Sequence, residues 1–382
     1  MKAWVLHDIG DIRYEDREIP KPAPGEVLVE VKAVGVCGSD IPRIYKTGAH
    51  RMPLIPGHEF AGQIVEYDDV AGGSDKAVSE DEPSGSTDAG ISKRVGVFPL
   101  IPCRTCDPCK KGLYEMCRNY DYIGSRRDGA FAEYVSVPKD NLIELPDEVS
   151  YEEAAMLEPM AVAVHAMRRG LLGYGMSDGR VVGSEAPGDK TGTAGGDHPV
   201  IAVCGLGTIG LLLTMFLIDA GYKDIYVIGN KEFQKRKAVS LGISEDHYID
   251  SRSDSEKMKS LYGRMDVFFE CVGKNECVSL AMDMAAPAGT VVLVGNPASD
   301  MTLERDNYWK ILRNQLRIVG TWNSSFRTGG DDWSYVIDRL KSGYIHPAEL
   351  ITHKLQPGEL ESGLVVMRDK TGDYCKVMIS RR

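Results

Sequence analysis

The sequence predicts an α/β protein with two domains, one β-rich and one built on a doubly wound parallel sheet. Three observations predict this: a length of 382 residues, a front portion of short strand patterns, and a middle portion in which strands and helices alternate. A chain of this length exceeds what one hydrophobic core usually serves. Alternation at this spacing is typical of a parallel sheet with helices on both faces. The strand candidates of the middle portion are residues 200–204, 224–230, 265–273, 289–296 and 316–322.

The front portion carries strand patterns separated by glycine and proline turns. Residues 25–37 (GEVLVEVKAVGVC) alternate with a period of two. This period places Val27, Val29 and Val31 on one face of a strand, which we expect to be buried.

A glycine-rich turn follows the first strand of the middle portion. The strand VIAVC leads into a G-x-G-x-x-G motif and then into an apolar segment of helix length. In that context the glycines permit a tight turn, a close approach to a pyrophosphate and close helix packing, and the helix N terminus adds N–H donors. The motif therefore predicts a dinucleotide site, with a plain β-turn-α connection as the alternative. Its residues are Gly205, Leu206, Gly207, Thr208, Ile209 and Gly210.

The residues after the second of these strands bear on the choice of dinucleotide. An acidic side chain there normally accepts a hydrogen bond from the ribose 2′-hydroxyl of NAD. This chain has Gly229, Asn230 and Lys231 instead. Because a missing carboxylate removes repulsion against a 2′-phosphate and Lys231 can pair with one, we favour NADP over NAD, with Asn230 and Lys231 at the site.

Four cysteines cluster between residues 101 and 118 in a C-x2-C-x2-C-x7-C pattern. They are Cys103, Cys106, Cys109 and Cys117, and the residues between them are mostly polar or turn-forming. Short C-x2-C spacings let one turn present adjacent sulfurs to a single ion, so we expect a zinc site. Four sulfur ligands leave no open position, which makes the site structural. Four unrelated thiols are the alternative.

Composition excludes several classes of function. The net charge of −11 opposes sequence-independent binding of nucleic acid or anionic lipid. No apolar run reaches the length of about eighteen residues that a membrane span needs. The N terminus lacks the pattern of a signal peptide, so we expect a cytoplasmic protein. Two polar, Gly-rich segments, residues 66–90 and 176–198, are interpreted as inserted surface loops.

Three further motifs carry residues that can bind a metal ion. They are GVCGSD (35–40), PGHEF (56–60) and LEPMAVAVHA (157–166). A thiolate, an imidazole and carboxylates suit a catalytic zinc site, where three protein ligands leave one position open. The residues that offer these groups are Cys37, His58, Glu59 and Glu158.

Together these motifs resemble the zinc-dependent medium-chain alcohol and polyol dehydrogenase family, in family order over nearly the whole chain. The departures are the two insertions and the missing acid at Gly229-Asn230. The resemblance implies a GroES-like β-rich catalytic domain formed by residues 1–161 and 323–382. A Rossmann dinucleotide-binding domain at residues 162–322 would interrupt it.

The resemblance also implies site roles. The catalytic zinc would be held by Cys37, His58 and Glu158. Glu59 would lie beside the metal, Asp40 would accept a hydrogen bond from His58, and Ser39 would relay the proton of the substrate hydroxyl. We therefore expect two zinc ions per chain, hydride transfer between a polyol hydroxyl and NAD(P), and a homodimer or homotetramer.

The substrate implied by the resemblance is a phosphorylated hexitol, with an unphosphorylated polyol or diol as the alternative. A phosphate needs cationic donors. Candidate substrate residues are Arg43, His50, Arg126, Arg127 and Lys310. Ordinary salt bridges are the alternative for Arg126 and Arg127.

The sequence opposes two other classes of function. A zinc-ribbon protein that binds nucleic acid through the cysteine lobe is opposed by the overall charge and leaves the glycine-rich turn unexplained. An inactive family member that senses a bound cofactor is opposed by the presence of Cys37, His58 and Glu158.

Overall fold

The computed structural model describes residues 1–67, 92–174, 198–327 and 330–381. These residues form two compact units, Met1–Glu158 with Pro347–Arg382 and Pro159–His346. The predicted loops at 66–90 and 176–198 lie outside the described residues, apart from their outermost positions. In the described part of the chain, every helix is too short or too polar to cross a membrane.

Seventeen strands are described. They are β1 (Lys2–Asp8), β2 (Asp11–Asp16), β3 (Glu26–Val36), β4 (Glu59–Tyr67), β5 (Arg94–Val97), β6 (Leu100–Ile101), β7 (Asp121–Tyr122), β8 (Tyr134–Pro138), β9 (Leu142–Glu144), β10 (Ile201–Cys204), β11 (Ile225–Gly229), β12 (Tyr248–Asp250), β13 (Met265–Glu270), β14 (Ala285–Leu293), β15 (Arg317–Gly320), β16 (Ile351–Leu355) and β17 (Lys376–Ser380).

Eleven α-helices are described. They are α1 (Asp40–Pro42), α2 (Asp107–Lys110), α3 (Tyr151–Ala155), α4 (Leu157–Gly170), α5 (Thr208–Asp219), α6 (Glu232–Ser240), α7 (Ser255–Ser260), α8 (Asn275–Met284), α9 (Arg305–Arg313), α10 (Asp332–Lys341) and α11 (Leu360–Asp369).

The first unit is built on a seven-stranded sheet around β3. The sheet runs β16-β17-β3-β4-β5-β9, and β8 also pairs with β3. Strand β3 is antiparallel to β4, β8 and β17, so it is the most extensively paired strand of the unit. Val27, Val29 and Val31 are buried, which confirms the face predicted from their alternation.

The second unit holds a six-stranded, wholly parallel sheet in the order β12-β11-β10-β13-β14-β15. In sequence order this is 3-2-1-4-5-6, the doubly wound arrangement of dinucleotide-binding domains. The predicted parallel sheet is thereby confirmed. Strand β12 was missed because its three residues are too few to show a periodic pattern.

The rear boundary of the second unit differs from the one expected at residue 322. Helix α10 follows that point, yet it groups with the second unit. Within that unit, Arg339 of α10 donates two hydrogen bonds, of 2.7 and 2.5 Å, to Asp219 at the end of α5. Both side chains are nearly inaccessible, at 3% and 6% exposure, so the pair is part of the unit's interior.

Replacing Arg339 by methionine should lower the free energy of unfolding by about 3–5 kcal/mol, because it leaves the Asp219 carboxylate buried without its partner. Denaturant unfolding of the full chain measures the change. The double variant Asp219→Leu/Arg339→Met should recover part of the loss, since no buried charge is then unpaired. A double variant as unstable as the single one contradicts this account.

Candidate functional site

The four cysteines of the lobe converge on one point. Their sulfurs all lie within 4.8 Å of one another. The sulfur of Cys106 is 3.4 Å from that of Cys109 and 3.9 Å from that of Cys117. Because a zinc ion with bonds of about 2.3 Å holds tetrahedral sulfurs about 3.8 Å apart, the donor set fits zinc.

The local fold presents these sulfurs. Cys106 is the residue before α2, and Cys109 lies within that single turn. The backbone N–H of Cys103 donates to the sulfur of Cys117 at 3.2 Å. Hydrogen bonds from Thr105 lower the pKa of Cys103 to about 5, whereas burial raises the pKa of Cys109 to about 12. All four groups can be thiolates at neutral pH only if a cation compensates their charge.

A second group of donors forms where β3 ends and β4 begins. Gly35 of β3 pairs with Glu59 of β4 in the antiparallel register, which brings Cys37 beside His58. Ligand atoms of Cys37, His58 and Glu59 all lie within 4.8 Å of one another, and His58 and Glu59 are buried. A soft sulfur, an imidazole and a carboxylate at such spacing fit a zinc ion.

Asp40 supports this cluster from a fully buried position. It accepts hydrogen bonds from the Cys37 N–H at 3.0 Å and from Arg43 at 2.5 Å. Its Oδ1 is 3.5 Å from Nδ1 of His58, and the expected hydrogen bond is not formed, since this Nδ1 has no hydrogen-bond partner within the described residues. Burial acts to raise the pKa of Asp40, but His58 and Arg43 bring it below its usual value.

The same carboxylate acts on His58 in turn. Burial acts to lower the pKa of His58, but the charges of Asp40 and Cys37 raise it well above its usual value. The negative groups Asp40 and Cys37 therefore favour a cation at this site.

Glu158, the expected third ligand, is not among the three mutually close donors; Glu59 is. The Glu158 carboxylate accepts a hydrogen bond from the Tyr122 hydroxyl at 3.3 Å. Burial, with a contribution from Glu59, raises the pKa of Glu158 to about 7. The ring of Tyr122 stands edge-on to His58 at 5.7 Å, so Tyr122 and Glu158 both border the cluster.

Sequence reasoning missed Lys376 and Tyr122. The Lys376 ammonium lies 2.6 Å from the Glu59 carboxylate, with both side chains at most 2% exposed. Burial acts to lower the pKa of Lys376, but the charge of Glu59 raises it above its usual value. No local signal marks this lysine, because it lies 317 residues from Glu59 along the chain.

Most of the candidate substrate residues already have partners. Arg43 pairs with Asp40, and Lys310 pairs with Asp283 in the second unit. Arg127 donates two hydrogen bonds, of 2.8 and 3.0 Å, to Glu26. His50 is exposed.

Arg126 differs from the other candidates. Its guanidinium lies over the Tyr120 ring at 4.7 Å from the centroid. The Tyr120 ring in turn stands edge-on to the Tyr122 ring, with 6.2 Å between centroids, and Tyr122 contacts His58 of the cluster. The buried Nε of Arg126 has no hydrogen-bond partner within the described residues, which distinguishes Arg126 from the paired arginines.

The glycine-rich turn has the geometry that its motif requires. Gly205 has a φ of +98°, and a Cβ on Gly210 would collide with the Gly205 carbonyl oxygen. Gly207 precedes α5, and a Cβ there would have no described atom within 4 Å. The space over the N terminus of α5 therefore fits a pyrophosphate, with Thr208 and Ile209 opening the helix.

Gln234 connects this turn to the end of β11. It accepts a hydrogen bond from the Asn230 N–H at 3.0 Å and donates one to the Leu206 carbonyl at 3.1 Å. Asn230 is exposed, and the Lys231 carbonyl accepts from the Tyr248 hydroxyl at 3.1 Å. Gln234 was missed because its role depends on two segments that fold together.

Two known family models match the chain, one in the front portion and one in the middle portion. Residues 23–147 match the alcohol dehydrogenase GroES-like domain, and residues 208–342 match the zinc-binding dehydrogenase domain. Galactitol 1-phosphate 5-dehydrogenase of Escherichia coli K12 is 32% identical over 374 residues, which cover 97% of this chain and 96% of that relative. The chain belongs to the zinc-dependent medium-chain alcohol and polyol dehydrogenase family. It is an NAD(P)-dependent oxidoreductase acting on CH–OH donors.

Solved structures agree with this membership. The galactitol-1-phosphate dehydrogenase from E. coli matches this dehydrogenase with a TM-score of 0.80 and 29% identity over the whole of both chains. A zinc-binding dehydrogenase from Sinorhizobium meliloti, bound to NADP, matches with a TM-score of 0.79 and 26% identity. The match covers 100% of this chain and 99% of that one. An E. coli alcohol dehydrogenase complexed with NADH matches with a TM-score of 0.78 and 25% identity, over 100% of this chain and 99% of that one.

Replacing Asp40 by asparagine should weaken zinc binding by the Cys37–His58–Glu59 cluster roughly 10- to 100-fold. The amide keeps the shape of the side chain but removes the negative charge that faces His58. Chelator competition, read as metal released per chain, measures the change. Asp16→Asn, which alters only an exposed pair with Lys2, is the matched control. Unchanged metal release from Asp40→Asn contradicts the role of this carboxylate.

Proposed function

We propose that this dehydrogenase oxidises a secondary hydroxyl of a hexitol phosphate such as galactitol 1-phosphate, with NADP as the hydride acceptor. The observation that carries the substrate class is Arg126, whose Nε lacks a partner among the described residues and whose guanidinium connects to His58 through the rings of Tyr120 and Tyr122. The relative that is 32% identical acts, by its name, on such a substrate. An unphosphorylated polyol or diol is the second candidate.

We propose two zinc ions per chain with different roles. The four-sulfur set of the lobe leaves no open position and stabilises the local fold. Cys37, His58 and Glu59 offer three donors, which leaves room for a substrate oxygen, and Glu158 borders that room. A zinc ion bound there supplies Lewis acidity, which lowers the pKa of a coordinated hydroxyl.

The chain's own residues would then handle the proton. Ser39 lies beside the cluster, with its hydroxyl 3.3 Å from the Cys37 sulfur, and we assign to it the transfer of the substrate proton. Asp40 lies 3.5 Å from Nδ1 of His58, and we assign to it the orientation of that imidazole. Glu59 stays next to the cluster through its pair with Lys376.

The substrate phosphate would pair with Arg126. Arginine presents donors in a fixed planar fork that matches phosphate oxygens. Arg43, Arg127 and Lys310 would each have to give up a carboxylate partner first, which makes them weaker candidates. His50 is exposed and remains a candidate for substrate contact.

The preference for NADP rests on the end of β11. Gly229 is buried, and a Cβ there would lie 2.9 Å from both the Gln234 Oε1 and the Tyr248 hydroxyl, so a larger side chain would require both groups to shift. Asn230 and Lys231 follow, and Lys231 supplies a positive charge for a 2′-phosphate. Relatives of this fold bind either NADP or NADH, so the local residues decide.

We further propose a homodimer or homotetramer in the cytoplasm. Strand β15 ends the described order of the parallel sheet, and Ile318 and Trp322 on or beside it are 39% and 56% exposed. An exposed apolar strand edge favours pairing with a second copy. The nine cysteines are free thiols, which is typical of a reducing compartment.

Cys37→Ser and Cys109→Ser should each lower the zinc content from two ions per chain to one, measured by metal analysis of the purified protein. Only Cys37→Ser should abolish hydride transfer while the fold survives, because only that cluster has an open position. Cys109→Ser should mainly lower thermal stability. Cys277→Ser, outside both clusters, is the control and should keep both ions. Near-normal turnover in Cys37→Ser contradicts the assignment.

Steady-state kinetics with galactitol 1-phosphate and galactitol, each with NADP and NAD, test the substrate and the cofactor. The phosphate ester and NADP should give the highest kcat/KM. Arg126→Gln should lower kcat/KM for the ester roughly 10- to 100-fold, the value of a charged hydrogen bond, and leave the free hexitol unaffected.

The control for this experiment is Arg127→Gln, which breaks a structural pair with Glu26 and should affect both substrates alike. Equal efficiency for ester and free hexitol in the wild type removes the phosphate site. A higher kcat/KM with NAD removes the NADP preference.

A further inference from the structure

The buried pair between Glu59 and Lys376 adjoins the proposed zinc cluster. The Lys376 ammonium donates to Oε2 of Glu59 at 2.6 Å and lies 3.4 Å from the Val36 carbonyl oxygen. Lys376 opens β17, whose next residue pairs with Val36 of β3. The lysine therefore reaches the cluster from the sheet side, next to Cys37.

The fold makes specific room for this pair. Gly35 faces Glu59 across the β3–β4 ladder. A Cβ on Gly35 would collide with Oε2 of Glu59, the same oxygen that Lys376 holds. One carboxylate oxygen is thus fixed against the glycine and the lysine, and its position is defined by three strands.

The lysine is costly for the protein in two ways. Taking an ammonium and a carboxylate out of water costs several kcal/mol per ion, and close-packed apolar residues often serve stability as well or better. A positive charge beside a cation-binding cluster also weakens cation binding by simple repulsion. Its presence at this place therefore calls for a role at the cluster.

We infer that Lys376 is a positioning residue: it holds Oε2 of Glu59, so that only the other carboxylate oxygen serves the cluster and the position that the substrate hydroxyl needs stays open. The inference rests on the proposed function of the Cys37–His58–Glu59 cluster. A carboxylate held by an ammonium is both oriented and partly neutralised, so it is a weaker ligand than a free one.

Other roles of Lys376 predict different effects of its loss on metal binding. If Lys376 served to aim Glu59 at the metal, its loss would weaken metal binding. If the pair were only structural, its loss would lower stability and metal binding together. If Lys376 acts only by restraining Glu59, its loss should tighten metal binding and slow turnover.

The test compares Lys376→Met, Lys376→Gln and Lys376→Arg in the full-length, metal-loaded protein. Zinc affinity is measured by chelator competition, alongside turnover and the melting temperature of the metal-free form. Lys376→Met should bind zinc about tenfold more tightly or better, since a unit positive charge beside the cluster is removed and Glu59 is freed, and it should turn over more slowly. Lys376→Gln, which keeps a hydrogen-bond donor and fits the same space, should shift both quantities in the same direction by less.

Two further variants complete the design. Lys376→Arg should restore the wild-type zinc affinity, because it returns the charge to Glu59. Lys376→Met/Glu59→Gln should lose the gain in affinity, since no freed carboxylate remains. Weaker or unchanged zinc binding in folded Lys376→Met or Lys376→Gln overturns the inference. The cluster's own assignment is tested separately, by loss of one ion and of turnover in Cys37→Ser.

Discussion

The antiparallel pairing of β3 with β4 is the interaction on which the candidate active site depends. Because Gly35 faces Glu59 in this ladder, the residue that follows β3, Cys37, comes to lie beside His58. Backbone hydrogen bonds of the sheet therefore bring the sulfur, imidazole and carboxylate together. The same pairing requires a glycine at position 35, since any side chain there would displace the carboxylate.

Around that pairing the protein buries an unusual number of charges and compensates each one locally. Asp40 faces His58 and Arg43, and Glu59 faces Lys376. Such an arrangement contributes little net stability but fixes the position of every member, because an unpaired charge in the interior is expensive. The chemistry is thereby placed on rigid strand ends, as a metal site requires.

Local patterns predicted the elements whose signals are contained within a few residues. The alternation of Val27, Val29 and Val31, the parallel sheet and the glycine-rich turn are all in the structure. Strand β12 is too short to carry a period, and α10 groups with the second unit, where its Arg339 pairs with Asp219, 120 residues away. Contacts between residues so distant along the chain leave no trace in local composition.

The sequence by itself determined which residue types were available: four closely spaced cysteines, a strand–glycine turn–helix unit, and separate Cys, His and Glu motifs. Only the tertiary structure decided how they combine. It placed Glu59 rather than Glu158 with Cys37 and His58, and brought Lys376 to Glu59 from the far end of the chain. It also paired Arg127 with Glu26, while Nε of the adjacent Arg126 has no partner among the residues that the structure describes. The physical reason is that a side chain's partner is set by strand register and sheet order, which join residues that are distant along the chain.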